Sequence, residues 1–275
     1  MELNSIKYSV ENQIGTIMLS RPERNNSWSG RMHIEYRHML AKAEADPAVR
    51  VIVVTGDPAG RTFCPGADTA ILSGLSERGL YSDGLPQDIP TPGYGVRPEF
   101  DAAFAYHFGL TKPVIAAING AAAGIGLVLA CFADLRFAAS GVKFTAAFSR
   151  LNLPSESGFA WILPRIVGVT NAADILMSSR VFLAEEAKEM GLLNKVLPAD
   201  ELMAYVYAYA ANLVQNTAPG SLRMTKNQIY ADQHRPVNEA VKEAERLLDG
   251  AISHPDAAEG IAAFLQKRPA KWQGR

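Results

Sequence analysis

The chain of 275 residues carries 27 Lys+Arg against 28 Asp+Glu, a formal net charge of −1, with 48% hydrophobic and 20% charged residues. That balance excludes the basic footprint of a dedicated nucleic-acid binder, and the hydrophobic content excludes a disordered chain. A chain of this size buries roughly 75% of its unfolded surface and needs no disulfide or metal staple.

Along the chain, short apolar runs alternate with helix-type patterns. Ile14 to Ser20 reads as a strand, and Arg21-Pro22-Glu23-Arg24-Asn25-Asn26 as a polar loop. Ser29 reads as the N-cap of a helix from Arg31 to Ala45, whose Met32, Tyr36, Met39 and Leu40 share one face. Val51 to Thr55 is a continuous β-branched run, as expected for a strand covered on both sides. The segment Tyr81 to Glu99 holds four Pro and three Gly and reads as a long loop, a pocket wall or else disordered, with the aromatic Tyr81 and Tyr94 favouring a partly ordered pocket wall.

Pro113 to Ala133 is 21 residues without a charge, close to the length of a membrane span. Asn119-Gly120 divides it, so it reads as a buried strand, Val114 to Ile118, and then a central helix through Gly126 to Ala130. Leu135 to Ala138 is the next strand. From about residue 158 the pattern turns helical: Asp200 opens Glu201 to Gln215, and Pro236 opens a helix toward Ile252. Asp256 with Glu259 reads as a capping-box variant for a last helix ending near Lys267. The expectation is an α/β unit over residues 1–195 and a helical region over 196–275.

Several chemistries are missing their signatures. A GxGxxG fingerprint would need a glycine at position 129, which is Leu. No Gly-Lys-Ser/Thr marks a phosphate loop, the five histidines lack metal-ligand spacing, and no nucleophile elbow is present. No metal is therefore expected. Cys64 and Cys131 lack CxxC spacing and read as thiols of a reduced, intracellular protein. The opening Met1-Glu2-Leu3-Asn4-Ser5 has no basic n-region before an apolar core, which gives the expectation of a cytoplasmic location.

Two Gly-rich turns stand out, each after a β-branched strand: Phe63-Cys64-Pro65-Gly66-Ala67-Asp68, and Asn119 through Gly124-Ile125-Gly126. Small residues let the backbone approach a ligand, and the first N–H groups of the helices that follow suit a developing negative charge. Phe63 to Asp68 resembles the FxxGAD motif of the crotonase (enoyl-CoA hydratase/isomerase) superfamily, and Lys112 to Ala138 its second characteristic stretch. Arg21 to Asn26 is similar to the family's CoA-contacting loop, and Phe264 to Arg268 to its C-terminal F-x-x-K-R segment.

The resemblance implies a crotonase-like spiral of ββα units with a C-terminal helical region. It implies that the Ala67 and Ile125 amides polarise the thioester carbonyl of an acyl-CoA, with Gly66 and Gly124 shaping the turns. It also implies Arg24, Asn25, Phe264 and Lys267 on the CoA side, with Arg24 and Lys267 as candidate phosphate contacts. Asp68 reads as a structural cap beside the substrate, and Asp134 as structural.

Hydratases of the family use two glutamates; the matching positions here are Val128 and Phe148, neither of which can hold water or move a proton. Leu153-Pro-Ser-Glu156-Ser157-Gly158 resembles the turn in which enoyl-CoA isomerases place a single catalytic Glu. Apolar Phe159, Trp161 and Ile162 follow it, so a partly desolvated Glu156 is expected, shuttling a proton between carbons. The alternatives are hydration with a non-standard base, or an acyl-CoA-binding relative without catalysis.

Phe148 and Trp161 are expected against the acyl group, whose identity the sequence does not give. No cofactor beyond substrate-borne CoA is implied. The resemblance also implies a homotrimer or a hexamer, with Tyr205, Tyr209 and Ala210 needing a surface to bury against. A mixed-charge helix Arg31 to Ala45 argues against RNA binding, and no membrane or nucleic-acid partner is expected.

Overall fold

A computed structural model describes residues 2–69, 73 and 96–274. Tyr81, Tyr94 and most of the Pro-rich loop lie outside the described residues. The two central strands are those with unbroken apolar runs, and both are wholly buried: β3 (Val51–Gly56) and β5 (Val114–Ile118). They pair in parallel, flanked by β2 (Ile14–Leu19) on one side and β7 (Leu135–Ala139) on the other. β1 (Ile6–Glu11) adds an antiparallel edge, and β10 (Lys195–Leu197) closes the far edge, giving the order β1-β2-β3-β5-β7-β10.

After each central strand the chain turns a corner and lays a short strand in a second sheet, of order β4-β6-β8-β9. These strands are β4 (Thr62–Cys64), β6 (Ala121–Ala123), β8 (Lys143–Thr145) and β9 (Phe182–Leu183). The repeated pairs β3/β4, β5/β6 and β7/β8 make the expected spiral of ββα units.

Helix α1 (Gly30–Ala45) begins where Ser29 Oγ accepts from the Met32 amide, and it buries Met32, Tyr36, Met39 and Leu40 as its periodicity requires. Helix α2 (Tyr106–Gly109) is short and precedes β5. Helix α3 (Ile125–Phe132) is buried at all eight positions, so the charge-free stretch Pro113 to Ala133 is a core strand and core helix. Helix α4 (Phe159–Ser178) has the length and hydropathy of a span, but Gly168 at φ 76°, ψ 161° breaks it. Neither half reaches the ~20 residues a bilayer requires.

After α5 (Ala184–Glu189) and β10 comes α6 (Leu202–Asn216), which buries Leu202, Val206, Ala210 and Val214 on the large sheet. Leu202, Val206 and Val214 each contribute about 1.5–3 kcal/mol by this burial. Lys195 is the first residue of β10, and α6 packs against strands of the same large sheet. Tyr205 and Tyr209 pack on Phe137 of the same chain at 5.4 and 5.2 Å, and Ala210 is fully buried. These three side chains find their surface within the chain, contrary to expectation.

The helices left outward are α7 (Pro219–Ala231), α8 (Val237–Ile252) and α9 (Pro255–Gln266). The last begins differently from the capping-box expectation. His254 Nδ1 accepts from the Asp256 amide as the cap, while Asp256 accepts from the Gln273 and Gly274 amides and Glu259 pairs with Arg268. Both carboxylates pin the tail because Pro255 already supplies the helix start. Asp134 is a structural tie, accepting from the Val114 amide, Lys226 Nζ and Tyr230 Oη, so that α7 is fixed to the core.

Candidate active site

The two glycine turns leave neighbouring strands of the small sheet at their C-terminal ends, since β4 and β6 pair in parallel. That is where open parallel sheets place ligands. In the first turn Gly66 holds φ 112°, and Ala67 forms an isolated parallel bridge with Trp28. The bridge uses the Trp28 amide to the Gly66 carbonyl and the Asp68 amide to the Trp28 carbonyl, at 2.8 and 2.9 Å. Parallel-bridge geometry then turns the intervening Ala67 N–H away from Trp28.

In the second turn Gly124, at φ 49°, is the N-cap of α3, and its amide donates to the Thr145 carbonyl. Ile125 is the first helical residue, and its N–H has no intrahelical acceptor. The turns touch each other. A Cβ on Gly126 would lie 2.1 Å from the Cys64 carbonyl oxygen, so only glycine allows α3 to start this close to β4.

Asp68 is buried, and its carboxylate faces Arg21 Nη1 at 2.9 Å and Ser27 Oγ at 3.3 Å, which fixes the first turn to the 21–28 loop. Asn26, fully buried, donates to the Asp57 and Thr62 carbonyls and joins the same loop to β4. The Arg21–Asp68 lock escaped the sequence reading, because only the folded loop brings these residues together. Asn25 adopts a left-handed conformation, its carbonyl accepting from Thr62 Oγ1, and leaves the Arg24 side chain exposed, with no partner among the described residues.

Phe264 is 82% exposed and Lys267 ends α9 in a left-handed conformation. The hydrogen bonds of the segment that follows run to Glu259, Asp256 and Gln215.

Val128 is fully buried within α3, and Phe148 is buried against Phe159 at 6.3 Å between ring centroids. Neither position offers a polar atom. Glu156 precedes α4 on a turn in which Ser157 (φ 53°) and Gly158 (φ 75°) are both left-handed, and its carbonyl accepts from Phe159. A left-handed serine is a strained conformation of the kind that clusters at functional sites. The Glu156 carboxylate is half-buried, and desolvation alone raises its pKa above the ordinary Glu value. It has no hydrogen-bond or ion-pair partner among the described residues.

Beside this turn lies a cavity of about 460 Å³, lined by Phe100, Phe108, Phe132 and Trp161 among others. Of these the sequence reading had only Trp161; nothing in their spacing joins segments so far apart. Among the described residues no group of His, Cys, Asp and Glu could hold a metal ion.

Two sheets wound in ββα turns, with helix-starting glycine turns at the ends of adjacent strands, define a protein of the crotonase fold. The enoyl-CoA hydratase/isomerase family model matches residues 9–275. The chain belongs to that family. It is 32% identical to the 1,2-epoxyphenylacetyl-CoA isomerase of Escherichia coli over 269 residues, covering 97% of each chain. It is also 32% identical to a Rhodobacter capsulatus protein named "Probable enoyl-CoA hydratase", covering all of both chains. A solved structure of an enoyl-CoA hydratase/isomerase family protein from Hyphomonas neptunium superposes with TM-score 0.86 at 31% identity, covering 99% of this chain and 98% of that one. These relationships point to an enzyme acting on CoA thioesters.

Proposed function

We propose that the chain is an enoyl-CoA isomerase, moving a double bond along an acyl-CoA through a thioester enolate. The observation that carries this reading is the desolvated carboxylate of Glu156, without a partner among the described residues, where the two hydratase positions are Val128 and Phe148. Glu156 takes a proton from the carbon next to the thioester carbonyl, and the electron pair moves onto the carbonyl oxygen. The Ala67 and Ile125 amides hold that oxygen as charge develops; each such donor is worth about 3–4 kcal/mol in acyl chemistry. The enolate then collapses, its γ-carbon takes the proton back from Glu156, and the double bond lies one carbon closer to the thioester. The proton leaves and returns, so the step needs no metal or redox group.

The E. coli relative is named an isomerase of a CoA ester, which supports a rearrangement without net addition. Arg24, exposed at the loop tip, and Lys267 are the proposed phosphate contacts. Val237, Val241, Leu248, Ile252, Ile261 and Phe264 leave α8 and α9 with an outward apolar face, which supports a trimer or hexamer in which that face is covered.

The test is exchange of solvent deuterium into a 3-enoyl-CoA with the Glu156→Gln variant. The expected loss is about 10²–10⁴ in the exchange and isomerisation rates, the usual worth of a positioned acid–base group. Undiminished exchange, or a hydrated product from the unaltered enzyme, overturns the reading.

A further inference from the structure

The cavity next to the Glu156 turn is lined by five rings, those of Phe100, Phe108, Phe132, Trp161 and His234, with Glu99 the one charged residue among its described lining. Phe108 lies at its centre, with ring centroids 5.3 Å from Phe132, 6.4 Å from Phe100 and 6.5 Å from Trp161. His234 stacks on Trp161 at 5.7 Å and 19°. Three alanines, Ala102, Ala103 and Ala105, make the remaining apolar wall; among the described residues no Leu, Ile, Val or Met lines it. Phe108 is held in turn by Tyr230, stacked at 3.7 Å and 14°, whose hydroxyl donates to Asp134. The ring walls are therefore mutually packed, inclined to one another by 44–88° around Phe108, and tied through Tyr230 and Asp134 to β5.

The slot adjoins the proposed chemistry. Ser157 and Gly158 line it, directly after Glu156. Phe132 ends the helix whose first amide is that of Ile125, so the two Cα atoms are about 10 Å apart along the helix axis. The Phe132 side chain leans back toward that N-terminus, as helical side chains do. A group occupying the slot is thus a few carbons beyond a thioester held at Ile125. A volume of about 460 Å³ falls within the range of small-ligand sites, roughly 300–1,000 Å³.

We propose that this slot receives the acyl group and selects an aromatic ring carried a few carbons beyond the thioester, with Phe108 and Trp161 as the specificity-determining side chains. The inference rests on reading the adjoining turns as an acyl-CoA site. Ring quadrupoles favour edge-on and offset contacts with another ring, beyond the area buried. An alkyl chain gains dispersion contacts from ring walls but no such quadrupole contact.

The experiment is calorimetric binding of two saturated esters of equal carbon count, 4-phenylbutanoyl-CoA and decanoyl-CoA, to the Glu156→Gln variant. Bulk hydrophobicity favours decanoyl, so a preference for the phenyl ester reports the slot. The expected preference is about tenfold. Trp161→Leu and Phe108→Leu in the same background reduce it below about threefold, while Trp161→Phe keeps it. Should Phe108→Leu fail to fold, the half-exposed Trp161 pair of variants carries the test.

Equal binding, a decanoyl preference, no binding of either ester, or a preference untouched by Trp161→Leu overturns the proposal. Loss of proton exchange is read separately. A phenyl preference together with no solvent exchange by the unaltered protein refutes the isomerase reading and leaves the slot standing.

Discussion

The two regions that make up the proposed site, the glycine turns and the Glu156 turn, are built to opposite specifications. The glycine turns are over-determined: Gly66 and Gly124 are buried, Ala67 is bridged to Trp28, Asp68 is locked to Arg21, and α3 is buried throughout. Glu156 stands half-buried on a strained turn with no partner among the described residues. Dipoles that hold a developing charge are most effective when they need not reorganise, so they belong in rigid, buried structure. A group that gives and takes a proton works best with a pKa near the working pH, and partial desolvation without a charged partner moves a carboxylate in that direction.

Gly126→Ala breaks the contrast most severely. The added Cβ meets the Cys64 carbonyl and pushes α3 off β4. Exchange is expected to fall by about 10³ or more as the two amides separate. The overpacking costs about 1–3 kcal/mol in a denaturant titration. Wild-type exchange in this variant would refute the requirement for both amides.

Asp68→Asn comes next, acting only on the rigid half. It leaves Arg21 without its buried partner and costs about 3 kcal/mol, the lower end for a broken buried pair because Arg21 keeps some solvent contact. Exchange is expected to fall about tenfold, while the pH profile keeps its shape. A changed pH profile would show that Asp68 takes part in the proton transfer.

The smallest effect sharpens the other half. Desolvation raises the Glu156 pKa, so the folded protein holds that proton more tightly than the unfolded chain. Its contribution to stability is present at acid pH and lost as pH rises through the raised value, while exchange rises over the same window as the base forms. A pH series of exchange rates and melting temperatures checks both. Glu156→Gln should flatten the exchange limb and remove this part of the stability slope; an unchanged slope would assign it to another group.

The large sheet was legible wherever one residue type fills a whole strand. Val51 to Thr55 and Val114 to Ile118 announce double-sided burial, and the Ser29 cap follows from a hydroxyl ahead of an amphipathic run. The small sheet was not legible, because strands of two or three residues carry no periodicity. Tyr205 and Tyr209 show the same limit from the other side. Their spacing demands a surface, but a helix pattern does not say whether that surface is Phe137 of the same chain or a neighbouring subunit. In α8 and α9 the apolar side chains remain outward, so the question that those tyrosines raised belongs to the last two helices.

At the site, the order of residues marked both glycine turns as local patterns, while positions 128 and 148 and the candidate Glu156 were picked out only through the family resemblance. The site's environment was decided by tertiary structure. The Arg21–Asp68 lock and the ring-lined slot each join segments tens to more than a hundred positions apart in sequence, whereas the partial desolvation of Glu156 was expected from the apolar residues that follow it. Local spacing dictates what a turn can do; only packing dictates which distant side chains surround it and how much water they leave there.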